Sequence, residues 1–143
     1  MLMISKVVYD QVRQDGTEGY PRECCGVLLG EDGEAGRIVV RAVKITNASV
    51  NPMAHYEMDS VELVRAVREA RSREMEILGF YHSHPDHRAV PSPTDLVEAH
   101  WHSCSYMITA IEGGHPVATR SFRLMGEREE EKYFLEEEIR ILS

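Results

Sequence analysis

Apolar residues recur along this chain with two different periods, and the changes of period divide it into strands and helices. In MEILGFYHSH, from Met75 to His84, Leu78 and Phe80 share one parity while Ile77 and Tyr81 share the other. Residues two apart on a strand face the same way, so both faces are apolar and a central strand covered on both sides is expected. CCGVLLG, residues 24–30, is a short apolar run bounded by glycine and reads as a buried strand. EDGEAG is then a turn, and RIVVRAVKIT, residues 37–46, is a β-branched second strand. SYMITAIEG and HPVATRSFRLM read as two more. Helical spacing appears in three places. Val61, Val64, Val67 and Ala70 recur over Ser60 to Ser72, behind Asp59 and Glu62 at capping-box spacing. SKVVYDQVR, from Ser5 to about Arg13, places Val7, Val8 and Val12 on one helical face, and Asp15-Gly16 is expected to end or interrupt it. Ser92 to about His102 is the third helix. SVNPMAHYEM reads as a loop followed by a short strand, and the tail EREEEKYFLEEEIRILS fits a charged helix or a terminal strand.

This order predicts a mixed α/β fold. With 143 residues, no internal repeat and no Pro/Ser linker, a single domain over 1–143 is expected, large enough to bury roughly two-thirds of its unfolded surface. No apolar run approaches the ~18 residues of a membrane span. The start, MLMISKVVYDQV, lacks the pattern of a secretion signal, which predicts a cytoplasmic protein. Cys24, Cys25 and Cys104 are few and odd in number, which fits a reducing compartment better than a disulfide framework. The net charge of -8 argues against a phosphate-backbone partner, whose binding rests on Lys and Arg.

The chemistry concentrates in YHSHPDHRAVPSPTD, Tyr81 to Asp95. Strand alternation projects His82 and His84 together, Pro85 stops the strand, and Pro91-Ser92-Pro93 forces an extended entry into a helix with Ser92 at the N-cap and Pro93 at the first position. Asp95 lies in that helix's first turn. Two imidazoles and one carboxylate make three protein ligands and leave a tetrahedral position open, the stoichiometry of a catalytic zinc rather than a structural one. Ser92 and Asp95 are also accounted for as a simple capping box, and the case for a metal rests on the combination within about fifteen residues.

His-x-His-x7-Ser-x2-Asp, carried by His82, His84, Ser92 and Asp95, resembles the signature of the JAMM (MPN+) zinc peptidases. PRECCGVLLG supplies the family's upstream glutamate as Glu23, and GFYHSHP and Trp101 extend the resemblance from about Tyr20 to Phe122. It implies a curved mixed β-sheet flanked by helices, akin to cytidine deaminases. It implies Zn2+ held by His82, His84 and Asp95, Glu23 acting on the water at the metal, and Ser92 stabilising the tetrahedral intermediate. Compact members of this kind act on ubiquitin-like sulfur carrier proteins ending in Gly-Gly, so a zinc-dependent metallopeptidase or isopeptidase is implied. The alternative is a non-catalytic MPN-type scaffold module for a ubiquitin-like partner, a class that usually lacks one or more of these ligands. A DNA-repair relative would carry HNHPSG where this chain has Ser83 and Asp86, and a cytidine deaminase would need a Pro-Cys-x-x-Cys element.

Other polar residues have plainer expectations. Alternation sends Cys24 and Cys25 to opposite faces as small buried hydrophobes, although a thiol-zinc contact near Glu23 is conceivable. Ser83 points away from the ligands to a core hydrogen bond, and Gly26 is expected to admit a backbone or the metal-site loop. His87 is a solvated loop residue or a substrate contact. His100 and His102, two apart on a helix, face away from each other. Cys104 belongs to the core.

Overall fold

In the computed structural model, which describes residues 1–143, the elements are β1 (Leu2–Ser5), α1 (Lys6–Gly19), β2 (Cys25–Gly33), β3 (Gly36–Ile45), α2 (Ser60–Ser72), β4 (Glu76–Pro85), α3 (Pro93–Glu98), β5 (Ser105–Glu112), β6 (His115–Met125), β7 (Tyr133–Glu137) and β8 (Ile139–Leu142). They form one mixed sheet in the order β7-β6-β5-β4-β2-β3-β1-β8. β4 pairs parallel with β5, and β1 pairs parallel with β3 and β8; the other pairings are antiparallel. The tail is two strands, and only Glu138 separates them although they lie at opposite edges. The sheet must therefore curl until its edges meet at Glu138, whose carbonyl accepts Leu2 N–H of β1 at 2.9 Å.

A buried carboxylate ties that curl. Glu137 accepts from Ser105 Oγ and, at 2.8 Å, from Ser121 Oγ, and pairs with Arg37 Nη1 at 3.5 Å. Arg37 Nη2 donates to Leu78 O at 2.7 Å. Residues of β3, β5, β6 and β7 thus share one satisfied polar cluster in the interior, which is the condition under which burying charge is tolerated.

β4 is the central strand expected, but its two faces are assigned differently. Leu28 pairs with Gly79 and Leu29 with Ile77, so Leu78 is the extra residue of a bulge. The bulge turns Leu78 to the α1 side, among Leu2, Val8 and Val12, while Phe80 packs on the α2 side with Ala66, Ala70 and Leu124. The expected shared stripe of Leu78 and Phe80 does not form. Cys24 and Cys25 do fall in opposite clusters, as alternation requires.

α1 runs through Gly16 instead of stopping there. A side chain at Gly16 would meet Ile111 Cδ1 at 2.8 Å, so this glycine lets the helix lie against the sheet. Asp15 accepts the Tyr81 hydroxyl at 2.8 Å, and Val7 is exposed where a core position was expected. α2 has the expected bounds, with Asp59 Oδ2 accepting Glu62 N–H at 3.0 Å. Its buried residues are Ala66 and Ala70, with Leu63 packed beside them; Val61 and Val64 are 58% and 49% exposed. Alanines on the inner face let the helix sit close to β2 and β4. α3 ends at Glu98, so His100 and His102 lie beyond it and the helical-face argument does not apply to them. The strand expected in SVNPMAHYEM is a single bridge, Asn47 to Met58. No helix is long and apolar enough to cross a membrane.

Candidate metal centre

β2 begins at Cys25, opposite His82, so β4 runs on past the end of its antiparallel neighbour while β5 supports its other side as far as Pro85. That overhang carries His82 and His84, which are 2% and 8% exposed. Ser83 points the other way: its Oγ accepts Cys24 N–H at 2.8 Å and its own N–H donates to Cys24 O at 3.1 Å. This is the core hydrogen bond expected of Ser83, and it fastens the residue after Glu23 to the residue between the two histidines.

α3 enters from the opposite side. Ser92 Oγ accepts Asp95 N–H at 3.0 Å, and Asp95 Oδ2 accepts Ser92 N–H at 2.8 Å, so the capping box is complete. The same Oδ2 lies 3.3 Å from His82 Nε2 and 3.1 Å from His84 Nε2, and the two Nε2 atoms are 3.1 Å apart. Ligands at the 2.0–2.1 Å typical of zinc stand about 3.3 Å apart when tetrahedral. The cap and the candidate ligand are one arrangement.

The donor chemistry fits a cation. His84 Nδ1 lies 2.8 Å from the Arg88 carbonyl, which places its proton there and leaves the Nε2 lone pair facing His82 and Asp95. Burial lowers the His82 pKa, keeping that ring neutral, and its Nδ1 has no partner. Burial works against ionisation of Asp95, yet its bonds to His82 and His84 hold the carboxyl well below the usual range. Against its burial, the bonds to Asp95 and the Arg88 carbonyl raise the His84 pKa, so without an ion a shared proton holds these atoms together; two imidazole nitrogens and a carboxylate oxygen converging on one point are also the donor set that suits a divalent ion.

Glu23 stands beside this triangle. It is 7% exposed, and a carboxylate oxygen, one nitrogen of His82 and one of His84 lie within 4.8 Å of one another. Burial lifts its carboxyl to about 7, opposed by His84 and assisted by Asp95. Glu23, His84, His87 and Ser92 line a cleft of about 310 Å³. All five residues singled out in the sequence therefore meet at one place, and His87 reaches its rim.

Three features went unseen in the sequence. Tyr56 stacks on His82 with ring centroids 4.4 Å apart, the Arg88 carbonyl orients His84, and the segment 47–58 wraps the main chain of Glu23. A backbone acceptor leaves no residue signature, whereas the aromatic in the loop AHYEM was a visible signal. Two expectations fail at close range. Tyr81's ring, not a backbone, covers Gly26: a side chain there would stand 2.3 Å from it. Burial pushes the Cys24 thiol to about 11 and that of Cys25 to about 12, Cys25 Sγ bonds Ile45 O, and neither sulfur joins the cluster of Glu23, His82 and His84, so both thiols belong to the core rather than to the candidate ligands.

Comparison with known proteins shows the same fold and the family. A solution structure of a protein from Desulfitobacterium hafniense superposes with a TM-score of 0.84 at 31% identity, covering 99% of this chain and 93% of that one. The desampylase of Haloferax volcanii is 36% identical over 106 residues, 74% of this chain and 75% of the relative. The CysO-cysteine peptidase of Mycobacterium tuberculosis is 31% identical over 106 residues, 74% and 70% of the two chains. The family model of prokaryotic homologs of the JAB domain matches residues 5–125, so a curled mixed sheet with a buried His-His-Asp triangle and an adjoining glutamate is here the work of a chain that belongs to the prokaryotic JAB-domain family.

Proposed function

We propose that this chain is a zinc-dependent peptidase that hydrolyses an amide bond at the Gly-Gly C-terminus of a ubiquitin-like or sulfur carrier protein. The observation that carries the reading is the triangle of His82 Nε2, His84 Nε2 and Asp95 Oδ2 at 3.1–3.3 Å with Glu23 beside it. His82, His84 and Asp95 would hold the ion. Zinc bound there would supply Lewis acidity, lowering the pKa of water towards ~7 and polarising the scissile carbonyl. Glu23 accepts the proton of the attacking water and returns it to the leaving amine, from a carboxylate that lines the cleft beside His84 and Ser92. Ser92 Oγ accepts from Asp95 N–H, which leaves its own hydrogen free to donate to the developing oxyanion at the cleft wall. Closure of the site by Tyr56, whose ring lies on His82, keeps bulk water from that ligand.

Similarity to a desampylase and to a CysO-cysteine peptidase supports the substrate class. A Gly-Gly tail suits a narrow approach to buried ligands, since glycine alone leaves the backbone unobstructed. Residues 1–143 act as a single domain in this reading, and three free thiols suit a cytoplasmic location. The test is to incubate the zinc-loaded protein with Gly-Gly-ended ubiquitin-like proteins carrying C-terminal extensions and follow their mass. Loss of the extension at the glycine is expected; intact substrates together with no affinity for zinc would favour a scaffold module instead.

A further inference from the structure

Glu23 lies outside every strand and helix, in the connection between α1 and β2, and both of its main-chain hydrogen bonds go to the segment 47–58. Its N–H donates to Pro52 O at 2.7 Å, and its carbonyl accepts from Asn47 Nδ2 at 3.0 Å. The rest of the Asn47 amide organises that same segment. Nδ2 also donates to His55 O at 3.0 Å, and Oδ1 accepts from Ser49 N–H and Glu57 N–H, each at 3.0 Å. Two donors and two acceptors are all that an asparagine side chain offers, and every one is used. Tyr56, held between His55 and Glu57, is the residue stacked on His82.

We propose that Asn47 is a positioning residue for Glu23: one half-buried side-chain amide fixes the main chain of the carboxylate and the fold of the loop that covers His82. The inference rests on the reading of Glu23 as the base. A carboxylate on an irregular connection has no ladder to hold it, and its reach to the metal centre depends on where its own backbone is pinned. Misplacement by about 1 Å from a site outside the chemistry costs on the order of 10²-fold in rate. No other amino acid repeats the contacts. Aspartate keeps both acceptors but sets an oxygen against the Glu23 and His55 carbonyls, and glutamine moves the amide outward by one methylene.

The decisive variant is Asn47→Asp, with Ser49→Ala as a control that loosens the same loop, by removing the Ser49 Oγ contacts to His55 Nδ1 at 2.7 Å and Asn51 N–H at 3.1 Å, while leaving both main-chain bonds of Glu23 their partners. Asn47→Asp is expected to lower kcat by about 10²-fold with KM little changed and zinc occupancy full, whereas Ser49→Ala keeps the wild-type kcat. Equal losses in the two variants, or an unchanged kcat in Asn47→Asp, would overturn the inference. A second measurement needs no substrate: the visible spectrum of the cobalt(II)-loaded protein should differ between wild type and Asn47→Asp, and that difference should vanish in a Glu23→Gln background. Identical cobalt spectra overturn the inference, while a wild-type protein that cleaves no ubiquitin-like substrate overturns the proposed function and leaves the cobalt comparison to decide the role of Asn47.

Discussion

Ser92 and Asp95 cap each other across the first turn of α3, and the oxygen with which Asp95 closes that cap is the one that faces both histidines. Asp95→Asn therefore acts on two levels. The amide retains a cap acceptor but loses the charge that an ion needs, so zinc affinity should fall steeply while the folded metal-free protein changes little. Ser92→Ala should show the reverse pattern. Zinc stays bound, about 0.5–2 kcal/mol of stability goes with the cap, and kcat drops by ~10²- to 10³-fold with the oxyanion donor. Zinc titration, urea unfolding and steady-state kinetics on the two variants separate these effects; equal zinc affinities would remove Asp95 from the ligand set.

Glu23 predicts opposite pH trends for stability and for turnover. Its folded pKa, about 7, is raised above the ordinary carboxylate value by burial. The protonated carboxyl is thus favoured in the fold, and its stabilising contribution is complete below about pH 4.5 and lost as pH rises through about 7. In metal-free protein the loss is on the order of 3 kcal/mol, and Glu23→Gln should abolish that dependence in urea unfolding followed from pH 5 to 8. Turnover needs the ionised base, so kcat/KM should fall on the acid side. Glu23→Gln should lower the rate by at least ~10²-fold with zinc still bound. A variant that keeps its rate rules out the proposed base.

How far the sequence could be read follows from the range of each interaction. His82, His84, Ser92 and Asp95 lie within one strand–loop–helix unit, so alternation and capping rules place them, and the structure sets His82 Nε2, His84 Nε2 and Asp95 Oδ2 3.1–3.3 Å from one another with Ser92 capping Asp95. Glu23 is joined to them through the Cys24–Ser83 hydrogen bonds just before β2 and through the segment 47–58, and no local period signals either; the family resemblance was needed. Local patterns failed where tertiary contacts override them. Gly16 was read as a helix stop, yet Ile111 makes it a close-packing point. Val61 and Val64 were read as core, yet alanines face the sheet. The bulge at Leu78 shifts the parity of the strand, so that Leu78 packs with Tyr81 and Ile77 with Phe80; β1 went unseen, and the tail stayed open between helix and strand because the partners of β1 and β8 are distant in the chain.

Glu137 closes the curled sheet, and its removal should act on stability without touching the metal centre. Glu137→Ala leaves Arg37, 7% exposed, with a buried charge and the Ser105 and Ser121 hydroxyls without their acceptor. Breaking such a pair from one side costs roughly 3–5 kcal/mol. Urea unfolding should show that loss, while the zinc affinity of the protein still folded remains near wild type. A loss below about 1 kcal/mol would mean that the cluster does not hold the two edges together.

Gly26 and Tyr81 test how the core supports the histidines. A methyl group at Gly26 would stand 2.3 Å from the Tyr81 ring and 2.4 Å from its hydroxyl, so Gly26→Ala must displace a fully buried side chain. Tyr81 precedes His82, and its hydroxyl donates to buried Asp15 of α1. Moving the ring therefore loosens the helix and tilts the strand end that carries a ligand. Overpacking of this kind costs about 1–3 kcal/mol, and loss of zinc affinity should accompany it. Tyr81→Phe isolates the polar part. It leaves the Gly26 contact with the ring intact but strips Asp15 of its donor, for about 1–3 kcal/mol with zinc affinity preserved. If Gly26→Ala lowers stability yet binds zinc as the wild type does, β4 holds His82 independently of the tyrosine packed before it.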